Sequence, residues 1–116
     1  MSLSDPATIM AWLEQIDDDL GQRRHEIGSS AGLFFRKKRT FELALAKAYI
    51  GAEGSNQKER ESNALIKVEA LPVYQEFVTA EANYHAQKAV IGVLETRATI
   101  CQSLLRVHRN EAGYND

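Results

Sequence analysis

A single cysteine, Cys101, is all the thiol chemistry in the chain. That excludes an intrachain disulfide framework and a cysteine-rich zinc site, and it suits a reducing, cytoplasmic setting. No run of about 18 apolar residues is present, so no membrane span is expected. The opening Met1–Pro6 has neither the basic nor the apolar part of a signal peptide. β-branched residues do not alternate between turns, which argues against strands. Catalytic signatures are missing too: there is no GxSxG elbow, no GxxxxGK[ST] phosphate loop, no HExxH and no GxGxxG. Glu-x-x-His, the motif of carboxylate-bundle metal sites, does not occur. The chain reads as a non-enzyme with no metal ligand set and no cofactor.

What is present suits a helical protein. The 116 residues are 44% hydrophobic and 26% charged, enough for one domain's core. The net charge of −2 is unevenly spread. Residues 1–19 are purely acidic, residues 20–50 form a basic block, and the remainder is mildly acidic. Only the middle block offers an electrostatic footprint for a polyanion.

Helix punctuation divides the chain. Ser4 or Asp5 can cap a helix with Pro6 in its first turn, and Ile9, Leu13, Ile16 and Leu20 then recur at helical spacing. Gly28-Ser-Ser-Ala-Gly32 reads as a stop and a flexible joint. It sets an acidic N-terminal helix, residues 1–32, apart from a helical hairpin and long helix over 33–116. Phe34, Phe41 and Leu45 carry a second helix as far as Ile50. After Gly51-Ala-Glu-Gly54, Ser55 or Asn56 can cap a third, which Pro72 breaks or kinks.

The last segment, Val73 to about Asn110, is the most informative. Phe77, Tyr84, Ile91, Ala98 and Leu105 recur every seven residues, with Ala80, Gln87, Leu94, Cys101 and His108 as a companion row. Val90, Val93, Ile100, Leu104 and Val107 spill outside that seam. From Ala86 to Val107 the helix is apolar on most of its circumference, which implies burial on several sides. Three shorter helices cannot wrap a segment of roughly 55 Å. The expected architecture is therefore all-α, short helices plus one long C-terminal helix forming an oligomeric bundle. Ile91, Leu94, Ala98, Cys101 and Leu105 are the expected interface between copies, Val73–His85 packs on its own chain's Phe41 and Leu45, and Glu111–Asp116 frays.

Among chemically active groups, the Arg36-Lys37-Lys38-Arg39 run stands out. Four consecutive cations point all ways round a helix and attract phosphates, while Phe34, Phe35 or Phe41 offers a stacking face to an unpaired base. The alternative is a solvated basic turn whose aromatics are core. Arg23 and Arg24 extend the patch across the joint. Glu81 with His85 is an i,i+4 pair better read as surface charge than as a metal site, and Cys101 as a buried structural thiol.

Leu45-Ala-Lys-Ala-Tyr-Ile-Gly51, Gly54, Lys58-Glu-Arg60 and the closing Thr99-Ile-Cys-Gln-Ser-Leu-Leu-Arg106 resemble the small helical phage recombination mediators of the UvsY type over residues 43–108. The resemblance implies an assembly held by C-terminal helices. It also implies binding to single-stranded DNA, to a recombinase and to a single-strand-binding protein, with DNA contact at Lys47, Lys58 and Arg60, in a bacterial host's cytoplasm. The N-terminal acidic part has no counterpart in that pattern. The expected function is a non-catalytic, homo-oligomeric accessory factor of DNA recombination or replication. The alternatives are a phage helical interaction protein (a host-enzyme inhibitor or anti-defence factor) or a structural adaptor.

Overall fold

The computed structural model describes residues 5–114, with side chains through Glu111. They form α1 Pro6–Ile50, α2 Gln57–Glu69 and α3 Pro72–Tyr114. The described residues contain no strand, and the fold is all-α.

Local chemistry sets the ends. Asp5 caps α1: its carboxylate accepts from the Ala7 amide at 3.1 Å and the Thr8 hydroxyl at 2.8 Å. Ser4 lies outside the described residues. Asn56 caps α2 by accepting from the Glu59 amide at 2.9 Å, and Ser55 donates its hydroxyl to Glu59 at 2.7 Å, a reciprocal cap. Asn63 donates to the Glu53 carbonyl at 2.7 Å and ties the intervening turn to α2. Pro72 breaks the chain: α2 ends at Glu69, and Pro72 becomes the first residue of α3, where its missing N–H costs nothing. α3 runs on to Tyr114, past the Glu111 at which fraying was expected.

The larger difference lies at Gly28–Gly32. No joint forms there; α1 is one 45-residue helix through both glycines. Leu13, Leu20, Ile27, Phe34, Phe41 and Ala48 recur every seven residues, with Ile9, Ile16, Arg23, Ser30, Lys37 and Ala44 as their companions. The apolar phase is therefore the same on both sides of the glycines. Each interior glycine costs about 1 kcal/mol relative to alanine, which seam packing outweighs. Neither glycine has positive φ, and a Cβ at Gly28 meets nothing within 4 Å. Gly28→Ala should therefore raise stability by about 1 kcal/mol and the melting temperature by roughly 4 °C in a thermal scan. A neutral or lower midpoint would indicate that residue 28 is not helical.

Contacts divide the chain into two units, Met1–Ile27 with Gln87–Asp116, and Gly28–Ala86. This replaces the expected 1–32 and 33–116 division: the N-terminal segment is not a separate arm but packs on the C-terminal one. In the first unit Leu20, Ile91, Leu94 and Ala98 form a buried cluster with Leu13, Ile16 and Ile27 against it. The helices run antiparallel, since Trp12 shares a groove with Leu104 while Arg23 shares one with Val90. Ile9 and Cys101 are also buried. Gln87 contributes a seam imperfection, its buried Oε1 having no hydrogen-bond partner among the described residues.

All ten expected seam positions of α3 are buried or half-buried. For Ile91, Leu94 and Ala98 the covering surface is the chain's own α1. Cys101 is buried in the same unit and Leu105 half-buried. These five residues were expected to face other copies, and three of them, Ile91, Leu94 and Ala98, instead pack within the chain. The expectation went astray because α1, counted as two short helices, seemed too small to cover it.

In the second unit aromatic rings do the packing. Phe34 lies 6.0 Å from Phe77 and 5.2 Å from Tyr84, both stacked, and Phe41 lies 5.0 Å from Phe77 and 5.8 Å from Tyr74. Phe41 thus packs on Tyr74 and Phe77 as expected. Ala64 and Val68 of α2 are buried, and α2 shares a hollow with Leu45 and Tyr49 of α1.

Candidate nucleic-acid interface

The basic run lies in the middle of α1, so successive residues are turned by about 100°. Lys37 falls on the seam, half-buried, and donates to Glu76 at 3.1 Å. Its ammonium is engaged by a carboxylate of α3. Lys38 is exposed and lies about 200° round the helix from Arg36. Arg36, Arg39 and Lys47, by contrast, fall within an arc of about 80°, and all three are exposed. The Arg36 guanidinium folds back along the helix, its Nη1 3.5 Å from the position of a Gly32 Cβ.

The two phenylalanines separate. Phe34 is 7% exposed and enclosed by Phe35, Phe77, Tyr84 and His85. It has no open face, so the expectation that it stacks on a base is overturned. Phe35 is 56% exposed and flanks Arg39 by one helical turn.

Lys58 and Arg60 are exposed in the first turn of α2, a separate element. The hollow of about 500 Å³ between α1 and α2 carries Glu42 and Glu61, the wrong sign for phosphate. Arg23 pairs with Asp19 at 2.9 Å, and Arg24 lies 4.0 Å from Glu95. His85 is engaged in ring contacts with Phe34 and Tyr84. Among the described residues no three His, Cys, Asp or Glu side chains gather to hold a metal. Among the described residues no helix is long and apolar enough to cross a membrane.

The site therefore comprises three cations and one exposed aromatic on one side of α1. Its signal in the sequence was helical spacing rather than the run of four. No protein-family model, curated protein or solved structure matches the chain.

Proposed function

We propose that the chain is a non-catalytic, self-associating accessory protein that holds single-stranded DNA along the exposed basic side of α1, in the manner of a recombination mediator. The observation that carries this reading is Arg36, Arg39 and Lys47 on one exposed arc with Phe35 beside them. Cations neutralise phosphates without reading sequence, and an accessible ring stacks on any unpaired base. The overall charge of −2 is no obstacle, because the acidic run of residues 1–19 ends 17 positions before Arg36 in the sequence.

The Arg36→Gln, Arg39→Gln, Lys47→Gln triple variant should bind single-stranded DNA much more weakly by fluorescence anisotropy. Its log-affinity against log-salt slope should fall by about 2, since each lost phosphate contact removes about 0.7. Lys37→Gln should leave the slope unchanged, because Lys37 faces Glu76. Wild-type affinity in the triple variant at low salt would sink the assignment.

A second reading has its own support. Leu43 and Ile50 are exposed on the same side of α1 as these cations, and Ile50 is 84% exposed. An apolar and basic strip of that kind suits an acidic surface on another protein, as in an inhibitor or adaptor. Leu43→Glu would weaken a protein contact severely, whereas loss of DNA binding at Arg36 and Arg39 distinguishes the first reading.

A further inference from the structure

The first unit leaves much of a second, mainly apolar row of α3 open. Val90, Val93, Arg97, Ile100, Leu104 and Val107 alternate by three and four residues, as a packing seam does. The row is turned about 110° from the buried seam. Val93 and Ile100 are 51% and 52% exposed. Arg97, Ile100 and Leu104 of the row line a groove of about 610 Å³ with Trp12, Gln15 and Asp19 of α1, and Val90 and Val93 line an adjoining hollow with Asp19 and Arg23. The second unit has α2 as a third helix, but the first consists of two helical segments alone.

We infer that this groove is the contact surface for a second copy of the chain, which lies antiparallel on it and completes a four-helix bundle from the two first units. Two features fit a second copy. The spacing of the row reads three-four-three-four-three in both directions, so a two-fold axis near its midpoint places Val90 opposite Val107 and Val93 opposite Leu104. A self-complementary surface of this kind is what an isologous dimer requires. The charges agree as well. Arg97 is the row's one charged residue, and Asp19 lines the same groove near the same level. Asp19 Oδ1 accepts from Arg23 Nε at 2.9 Å. In that register Arg97 lies opposite Ile100 of the other copy, and each copy brings both an Arg97 and an Asp19 to the shared groove. Helices of four-helix bundles carry two packing faces in this way, one for each neighbour.

The inference deepens the self-association part of the proposed function and is independent of its DNA part. It moves the interface from Leu94 and Ala98 to the adjacent row. Light scattering on the full chain without nucleic acid should give twice the 13.0 kDa chain mass. Ile100→Glu and Val93→Glu should each give a monomer with unchanged helical circular dichroism, because both positions are open in the single chain. Ile66→Glu, exposed on α2, should remain dimeric. A dimer that survives both Ile100→Glu and Val93→Glu overturns the interface while leaving self-association standing. A wild-type monomer at several hundred micromolar overturns both and leaves the row to a different protein.

Discussion

Leu94→Asp should unfold the first unit rather than dissociate an intact protein. Leu94 is 8% exposed and packs in the cluster with Leu20, Ile91 and Ala98. Truncating such a leucine typically costs about 2–5 kcal/mol through lost burial and the remaining cavity. The carboxylate adds the cost of a charge with no cation in that cluster, which makes the total comparable with the whole stability of a small domain, about 5–15 kcal/mol. Circular dichroism at 25 °C should show a large loss of helix, and urea should unfold what remains at a much lower midpoint. The contrast with Ile100→Glu gives the result its meaning. Ile100 is two residues beyond Ala98 but on the open row, so the same kind of charge there should preserve the helices. Full helicity in Leu94→Asp would return that residue to an interface between copies and contradict the assignment of the seam to the chain's own core.

The difference between those two leucine-like positions also marks how far sequence pattern alone could reach. The α3 seam was legible because its seven-residue rows survive Gln87 and His108, and all ten positions are covered in the fold. Asp5, Asn56 and Pro72 were legible because a cap or a missing amide acts within one turn. What covers the seam was not legible, because the glycines and serines at 28–32 are strong local breakers. Their cost is about 1 kcal/mol each, while the apolar row that overrides them extends from Leu13 to Ala48. A local signal was weighed against a pattern visible only over six turns or more. The basic block misled in a related way. Read linearly, Arg36–Arg39 is one cluster; on a helix those residues diverge, Lys37 turns inward to Glu76, and Lys47 joins the outer side from three turns away.

Phe34 and Phe35 permit the sharpest separation of packing from binding, because they are neighbours with opposite environments. Phe34→Ala should destabilise the chain by about 3–5 kcal/mol, the usual cost of removing a buried phenylalanine. Its ring is enclosed by Phe77 and Tyr84 at 6.0 and 5.2 Å, so deletion leaves a void between α1 and α3 within the second unit. Phe35→Ala removes a ring that is 56% exposed and should cost well under half as much in a urea titration. The order reverses for DNA. Stacking on one base is worth about 1–3 kcal/mol, so Phe35→Ala should weaken single-strand binding about tenfold, with little change in salt slope because no phosphate contact is lost. Phe34→Ala, measured where it remains folded, should bind with near wild-type affinity, since the buried ring presents no face to a base. Equal loss of binding in both variants would mean that DNA senses the packing of α1 rather than the exposed ring, and would remove Phe35 from the proposed site.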